Sequence, residues 1–303
     1  MKFQKIISIF LISTSILYAE ESKPKPATFE YGLKVQNITY FPYETNTVDA
    51  SQKSDLKNNK DLVYLPFFKY RNTNNKFGFD FDMTNIKISD PYYQVQSLFS
   101  RLIPYAYTYG NVQRQEYRLN FFYLPFDNQI FYLGLGLLKI DRLYNVENYD
   151  VATYIYSDKI NSYGISVPLR SNIQFFDRFS LNLGFDPYVS YGRRSYVNQR
   201  TGYSYYMDDR FGPYFFTSRT NPNNVTEILG YQAEVSLSYQ FYDNLKIYIG
   251  FSRNQSIIRS KNFDQTNFSY YGTRNLLLVS HGSSTERLID TYNSIYFGVS
   301  NTH

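Results

Sequence analysis

The sequence predicts an all-β fold, namely an up-and-down antiparallel transmembrane β-barrel of about ten strands, within a range of about eight to twelve. Three observations predict this fold: apolar and polar residues alternate along many segments, short and long connections alternate between these segments, and the composition favours strands. The chain has 303 residues, of which 34 are Tyr and 26 are Phe, and it lacks Trp and Cys. Because aromatic residues are enriched in strands, the composition agrees with the alternation.

The first segment of the chain has the layout of a secretory signal peptide. Two lysines precede an apolar run, residues 6–17, and Ala19 is a small residue suited to cleavage. Cleavage there divides the chain into a signal peptide, residues 1–19, and a mature part, residues 20–303. The apolar run is too short to span a membrane as a helix, and no later segment approaches the roughly 18 apolar residues that such a span needs. We therefore expect export, followed by soluble release or by insertion as a barrel.

Ten candidate strands follow, each marked by alternation of apolar and polar residues. In the third, Phe77, Phe79 and Phe81 alternate with Gly78 and Asp80. One face of the strand is therefore apolar and the other polar. The ten segments are residues 29–41, 61–71, 76–88, 114–125, 130–141, 160–175, 179–192, 227–241, 245–257 and 286–299.

Three of the turns share one layout, in which an aromatic residue is followed by Asp and then by Gly seven positions after the Asp. Asp stabilises tight turns because its side chain bonds nearby backbone groups. Each Gly falls on the polar face, where we expect it to make room for large side chains that point into a barrel lumen. The pairs are Asp127 with Gly134, Asp177 with Gly184, and Asp243 with Gly250.

The connections between the segments alternate in length. Those after the even-numbered segments are short turns, whereas those after the odd-numbered segments are long and polar, at residues 42–60, 89–113, 142–159, 193–226 and 258–285. Alternation of faces alone fits a soluble sandwich, whose apolar face is its core, as well as a membrane barrel, whose apolar face meets lipid. The alternating lengths and the aromatic residues at strand ends favour the barrel, with the long loops outside the cell. These aromatic residues are Phe126, Phe175, Phe176, Phe241 and Tyr242.

Together these features resemble bacterial outer-membrane β-barrel proteins as a general class, without a family-specific motif. The resemblance covers the signal peptide and nearly all of the mature chain. It implies insertion in the outer membrane of a Gram-negative bacterium and contact with outer-membrane lipid. One feature departs from the class, whose last strand usually ends on a C-terminal aromatic residue, because Phe297 lies six residues before His303. We therefore expect the last strand to end near Val299 and to leave a short tail.

Several kinds of chemistry lack the residues that they need. Without Cys the chain has no disulfide, thiolate nucleophile or Cys-bound metal, and its two His leave little for a His-bound metal site. No Gly-rich loop of the phosphate-binding kind follows a strand and opens a helix. The net charge of +5 is too small to indicate a nucleic-acid partner. We therefore expect no cofactor, no metal and no nucleic acid.

Two carboxylates, Asp80 and Asp82, share one polar face about 6–7 Å apart, by the rise of a strand. Barrel proteases of the omptin type build their site from such an Asp pair together with a His–Asp pair. The resemblance fails here because no His lies near Asp208 or Asp209. We therefore interpret the two carboxylates as lumenal charges that pair with inward cations. The predicted set of lumenal charges is Asp80, Asp82, Arg118, Arg170 and Lys246.

A hydrolase site at the rim is a more remote hypothesis. His281 precedes Ser283 and Ser284, either of which could serve as a nucleophile. A Ser–His site also needs an oxyanion hole and an orienting acid, and the short segment HGSS is too common to establish them. We therefore expect the chain not to be an enzyme.

The fourth long loop, residues 193–226, is rich in Arg and aromatic residues, which often form contact hot spots. Three alternatives stay open for it: binding of an external partner, folding into the barrel mouth as a plug, or an extra hairpin that raises the strand count. The candidate external contacts are Arg193, Arg194, Tyr203, Tyr205, Tyr206 and Arg210.

The sequence therefore predicts a single-domain, non-enzymatic protein of the cell envelope. The leading hypothesis is a narrow channel or ligand-binding barrel for small solutes, because a barrel of about ten strands is largely filled by its own side chains and cannot be a wide porin. The alternative is a surface adhesin or interaction protein that binds a host or other extracellular ligand through loop 193–226.

Overall fold

The computed structural model describes residues 27–43, 63–94, 107–126, 130–148, 153–205, 211–220, 224–242, 244–261, 264–271, 276–283 and 287–303. Over these residues the fold is all-β, and no helix among them is long and apolar enough to cross a membrane. The predicted signal peptide, residues 1–19, lies outside them.

Fourteen strands form one antiparallel sheet in the described part of the chain. They are β1 (Ala27–Phe41), β2 (Val63–Asn72), β3 (Phe77–Gln94), β4 (Tyr107–Tyr123), β5 (Phe131–Asn148), β6 (Thr153–Ser166), β7 (Leu169–Phe176), β8 (Phe179–Tyr205), β9 (Phe211–Thr220), β10 (Val225–Tyr242), β11 (Leu245–Lys261), β12 (Asp264–Tyr271), β13 (Leu276–Ser283) and β14 (Arg287–Thr302).

The sheet closes on itself as a barrel. Its strand order is β1, β2, β3, β4, β5, β6 with β7, β8, β10, β11 and β14, and β14 pairs with β1. Closure satisfies the backbone groups that a sheet edge would leave exposed. The prediction of an up-and-down barrel with about ten strands is confirmed. We call the end of the barrel that carries the short turns the turn end, and the opposite end the loop end.

The closing seam between β1 and β14 reaches the last residue of the chain. Phe29 and His303 exchange two backbone hydrogen bonds of 2.8 Å, and the His303 ring stacks on Tyr31 with 6.0 Å between ring centres. The expected end of the last strand near Val299 is therefore wrong. Residues 300–302 continue the strand because β1 offers them partners in register.

The predicted strand 160–175 is interrupted at Pro168. β6 ends at Ser166 and β7 begins at Leu169, because proline has no N–H to give to a ladder. The neighbouring strands bridge the gap, since Val167 N donates to Pro187 O at 3.0 Å and Gly134 N donates to Pro168 O at 2.9 Å. β6 and β7 therefore count as one position of the barrel.

Strand pairing extends into segments that the sequence pattern left as loops. Residues 193–226 contain the end of β8 and the whole of β9, and residues 258–285 contain β12 and β13. These strands pair in the order β8, β9, β12, β13 and form a sheet at the loop end, which we call the loop-end sheet. The extra hairpin, one of the three alternatives for loop 193–226, is thus present.

The other long loops are shorter than the pattern indicated, where the structure describes them. β3 continues to Gln94 and β4 begins at Tyr107, while β5 continues to Asn148 and β6 begins at Thr153. Antiparallel partners on both sides support these extensions. Most of loop 42–60 lies outside the described residues.

The outer surface of the barrel is apolar near the turn end and polar near the loop end. On β5 the outward residues Leu133, Leu135 and Leu137 are exposed, Leu135 at 66%, and the next outward residues are Lys139 and Asp141. On other strands, too, the outward residues change from apolar to polar toward the loop end. We call the apolar part the apolar belt; its exposed members include Leu33, Phe81, Phe121, Ile165, Leu237, Ile249 and Phe297. Outward residues beyond it include Lys87, Gln115, Lys159, Arg193 and Arg253.

Tyrosines with polar neighbours mark the edge of the apolar belt that lies nearer the loop end. Lys139 Nζ lies 2.6 Å from Asp141 Oδ2, and 5.8 and 5.9 Å from the ring centres of Tyr117 and Tyr163. Aromatic residues of this kind are typical of membrane–water interfaces. The belt therefore has the borders of a lipid-facing surface, and much of the barrel lies beyond it.

The inward glycines make room for large lumenal side chains, as expected. A Cβ added to Gly250 would lie 2.4 Å from Tyr296 Cζ, and one added to Gly230 would lie 2.5 Å from Tyr188 Cζ. Each glycine thus lies directly beneath an aromatic ring that points across the lumen. Such close approach is one of the reasons for glycine inside a strand.

Candidate lumenal site

The lumen near the turn end contains a cavity of about 60 Å³, which we call the turn-end chamber. Lys34 lies in its wall, with Nζ 3.8 Å from Asp82 Oδ2 and 3.6 Å from Glu234 Oε1. Glu234 also accepts a hydrogen bond from the Tyr296 hydroxyl. The chamber has room for a few water molecules but is far smaller than typical ligand pockets of about 300–1,000 Å³.

The five residues predicted as lumenal charges each have an oppositely charged neighbour, although the partners differ from those expected. The two aspartates were expected to pair with Arg118, Arg170 or Lys246. Instead they pair with cations of β1 and β2, which the sequence analysis missed although both alternate with apolar neighbours. The pairs are Asp80 with Arg71 (2.5 Å), Asp82 with Lys34 (3.8 Å), Arg118 with Glu116 (2.7 Å), Arg170 with Asp186, and Lys246 with Glu30 (3.6 Å).

A layer of buried charges crosses the lumen on the loop-end side of the chamber. Glu116 lies between two arginines, 2.7 Å from Arg114 Nη2 and 2.7 Å from Arg118 Nη2. Asp290 accepts hydrogen bonds of 2.9 Å from Arg114 Nη1 and from Arg142 Nε. All five side chains are at most 3% exposed. We call these five residues the arginine layer.

The arginine layer is held together by hydrogen bonds from its surroundings as well as by charge. The hydroxyl of Tyr40 donates to Asp290 Oδ2 at 2.6 Å, and that of Tyr292 donates to Glu116 Oε2 at 3.2 Å. Buried ion pairs are stable only when such additional bonds compensate for lost hydration. With buried apolar residues packed beside it, including Ile38 and Ile86, the layer fills the middle of the lumen.

A second ion pair lies nearer the loop end, between Asp158 on β6 and Arg194 on β8. Three hydrogen bonds of 2.7 to 3.1 Å join the two side chains. Asn224 fixes the backbone of Arg194, because its Nδ2 donates to Arg194 O at 2.6 Å and its Oδ1 accepts from Arg194 N at 2.8 Å. The bonds to Asp158 and Asn224 therefore hold the Arg194 guanidinium inside the barrel.

The predicted external contacts divide into four groups. Arg193 is exposed on the outer face of β8, whereas its neighbour Arg194, only 8% exposed, points into the lumen and is no external contact. Alternation of side chains along a strand requires this difference, and the sequence analysis had treated both as loop residues. Tyr203 and Tyr205 belong to the last residues of β8. Residues 206–210, with the remaining two candidates Tyr206 and Arg210, lie outside the described part of the chain.

The residues considered for hydrolysis lie in different parts of the structure, except that His281 and Ser283 are two positions apart on β13. Asp80 follows the start of β3 near the turn end, whereas His281 belongs to β13 in the loop-end sheet. Ser284 lies outside the described residues. Among the residues that the structure describes, no three His, Cys, Asp or Glu side chains are grouped so as to hold a metal ion.

Comparison with known families agrees with the closed barrel and its apolar belt. A family model described as predicted outer membrane protein, Leptospiraceae, matches residues 25–303. The chain belongs to this family. The chain is therefore an outer-membrane β-barrel protein, as its sequence pattern predicted. None of the curated proteins matches the chain.

Solved barrels that are similar to the chain differ widely in activity. The outer membrane protease OmpT from Escherichia coli is 13% identical, with a TM-score of 0.43 over 94% of this chain and 99% of that chain. The Pseudomonas putida toluene transporter TodX is 11% identical, with a TM-score of 0.33 over 92% and 90%. The translocator domain of the autotransporter NalP from Neisseria meningitidis is 9% identical, with a TM-score of 0.16 over 99% and 95%. Since one fold hosts many activities, function must be argued from this chain's own residues.

Proposed function

We propose that this protein is a non-enzymatic surface protein whose barrel projects from the outer membrane and binds an extracellular partner at its loop end. In this proposal the turn end faces the periplasm, as is usual for up-and-down outer-membrane barrels. The observation that carries the proposal is the change of the outer surface from apolar to polar part-way along the strands.

The lengths of the strands support a projecting barrel. About 9–11 tilted residues cross the hydrocarbon of a bilayer. β5 has 18 residues and β8 has 27, and their apolar outward residues lie in the part nearer the turn end. The remaining residues carry outward Lys, Arg, Asp and Gln, which favour water over lipid. Their strands therefore reach well into the extracellular space.

The filled lumen favours action at the surface over transport. The arginine layer and the apolar residues around it occupy the middle of the barrel, where a passive channel would need a continuous aqueous path. The loop-end sheet, by contrast, presents contact groups outward. Tyr270 of β12 and Val279 of β13 are exposed at 38% and 55%. Arg193 of β8 is exposed on the same outer face of the barrel, nearer the turn end. Aromatic and arginine side chains are typical of protein contact sites.

Removal of the loop-end sheet tests this proposal. Val197 and Arg219 lie directly opposite each other, as do Gln265 and Gly282. Each pair can be joined by Asn-Gly, which closes a tight hairpin. The shortened protein keeps the barrel but loses residues 198–218 and 266–281. Cells that produce the native protein should adhere to host-cell monolayers or extracellular matrix, and cells with the shortened protein should not.

Two controls make that experiment decisive. A Lys87→Ala/Lys159→Ala variant removes exposed charges from strands outside the loop-end sheet and should adhere like the native protein. Mobility on SDS gels with and without boiling should show that every variant is folded. Equal adhesion of native and shortened protein, together with steady conductance of the native protein in planar bilayers, would refute the proposal.

A narrow channel is the second candidate, and the turn-end chamber is the observation that favours it. The chamber is lined by Lys34, Asp82 and Arg170, and the arginine layer that covers it consists of side chains alone. Rearrangement of those side chains, and of Tyr43 and the Asp158–Arg194 pair beyond them, would connect the chamber to the loop end. Planar-bilayer conductance of the native protein separates this candidate from the first.

A further inference from the structure

Tyr43 lies inside the lumen although it follows the end of a wall strand. β1 ends at Phe41, which is the last residue of the β1–β14 register, opposite Thr291. Two residues later the Tyr43 side chain is only 4% exposed and belongs to an apolar cluster with residues such as Ile160 and Ile228. The chain has therefore turned inward across the loop end of the barrel.

Tyr43 contacts four charged groups, three through its side chain and one through its backbone N. The guanidinium carbons of Arg142 and Arg194 lie 4.1 and 5.4 Å from its ring centre. Its hydroxyl donates a hydrogen bond to Asp158 Oδ2. Its backbone N donates to Asp290 Oδ1 at 2.8 Å. We call the space bounded by these four side chains the Tyr43 pocket.

The walls of the Tyr43 pocket are positioned by contacts that do not involve Tyr43. Arg194 binds Asp158 through three hydrogen bonds, and Arg142 Nε donates to Asp290 Oδ2 at 2.9 Å. The four wall residues belong to β5, β6, β8 and β14, whose backbones are fixed by the barrel ladders. The walls of the pocket thus belong to barrel strands, whereas Tyr43, which fills the pocket, lies beyond the end of β1.

We propose that the Tyr43 pocket is a binding site for a neutral phenolic ring, which the chain's own Tyr43 fills in this structure. Guanidinium groups over an aromatic face are attractive through the charge distribution of the ring. A buried carboxylate accepts a strong hydrogen bond from a phenol but repels an anion. The ligand class is therefore a para-substituted phenol, either a small molecule or a tyrosine side chain of a partner.

Exchange of the occupant leaves the barrel intact. Because Tyr43 lies beyond the β1–β14 register, its departure breaks no strand-to-strand hydrogen bond of that pair. It would uncover Asp158 and the faces of two guanidinium groups, which an incoming phenol would cover again. The inference goes beyond the proposed function, since it concerns the lumen and does not depend on the loop-end sheet.

Substitution of Tyr43 by alanine, with p-cresol as the probe, tests the proposal. The purified full-length barrel in detergent is titrated calorimetrically with p-cresol and with toluene, which has the same ring without a hydroxyl. Tyr43→Ala should bind p-cresol about ten-fold or more tightly than toluene, because a hydrogen bond to a buried carboxylate is lost with toluene. The native protein should bind p-cresol at least about ten-fold more weakly than Tyr43→Ala, because its pocket is filled.

Two further variants show whether binding occurs at this pocket. Asp158→Asn in the Tyr43→Ala background should reduce the preference for p-cresol over toluene. Ile86→Ala removes a buried side chain from a different lumenal cluster and should show no such preference. If folded Tyr43→Ala binds the two compounds equally or binds neither, the proposal is overturned.

A refolding experiment tests the proposal if the Tyr43→Ala variant folds poorly. The unfolded variant is diluted into detergent with p-cresol, with toluene or with neither, and the folded fraction is measured by gel mobility without boiling. We expect p-cresol alone to raise the folded fraction, since it replaces the missing ring and hydroxyl. An unchanged folded fraction with p-cresol would overturn the proposal.

Discussion

Asp158 and Arg194 form a buried ion pair, with hydrogen bonds from Arg194 Nε to both carboxylate oxygens at 2.9 and 3.1 Å and from Nη2 to Oδ2 at 2.7 Å. Asp158 is 0% exposed, so removal of Arg194 leaves a buried charge whose remaining hydrogen bond comes from the neutral Tyr43 hydroxyl. We predict that Arg194→Ala lowers the free energy of unfolding by about 3–5 kcal/mol. Urea unfolding in detergent, followed by tyrosine fluorescence, measures this change.

The adjacent residue supplies a matched control for that prediction. Arg193 has the same side chain on the outer face of the same strand, where it is exposed. Arg193→Ala should change the free energy of unfolding by no more than about 0.5 kcal/mol. Similar losses in the two variants would mean that the ion pair contributes little to stability.

The contact between Gly250 and Tyr296 leads to a second prediction. An alanine Cβ at position 250 would lie 2.4 Å from Cζ of Tyr296 and 2.7 Å from Cβ of Ser236. The Tyr296 ring cannot move away without disturbing the hydrogen bond from its hydroxyl to Glu234. Gly250→Ala should therefore lower the free energy of unfolding by about 1–3 kcal/mol. Gly298→Ala is the control, because its nearest neighbour would be 3.5 Å away. Equal effects at the two positions would contradict the steric explanation.

The sequence could predict the barrel because alternation and turn chemistry are local. Gly250 was assigned to the lumen from the turn that precedes it, and the structure places it there. Arg118 was predicted to face the lumen, but the pairing within the arginine layer could not be predicted, because Arg114 and Asp290 are 176 residues apart and nothing local indicates that they meet. In the loop-end sheet, the hairpin within residues 193–226 was one of three open alternatives, whereas β12 and β13 were missed, since partners brought near by the barrel stabilise them.

The arginine layer leads to a prediction about conductance. If these side chains close the lumen, the native protein should not conduct ions in planar bilayers. Substitution of Arg114, Glu116 and Arg118 by serine removes three large side chains of the arginine layer, on the loop-end side of the turn-end chamber. The triple variant should give measurable single-channel conductance while it keeps the gel mobility of a folded barrel. Steady conductance of the native protein would show that the layer does not close the barrel.

The apolar belt leads to the last prediction, which concerns where the membrane ends on the barrel. Leu135 is an exposed outward residue of the belt, whereas Gln115 points outward on β4 beyond it, opposite Asp141 of β5. A charge facing lipid near the bilayer centre costs about 2–4 kcal/mol, and one near or beyond the interface costs about 0–1 kcal/mol. Leu135→Arg should therefore lower the free energy of unfolding, measured in lipid vesicles, far more than Gln115→Arg. Because both variants add the same side chain, the difference between them reports on the surroundings. A large loss of stability with Gln115→Arg would mean that lipid covers the barrel farther toward the loop end. The barrel would then project less than proposed.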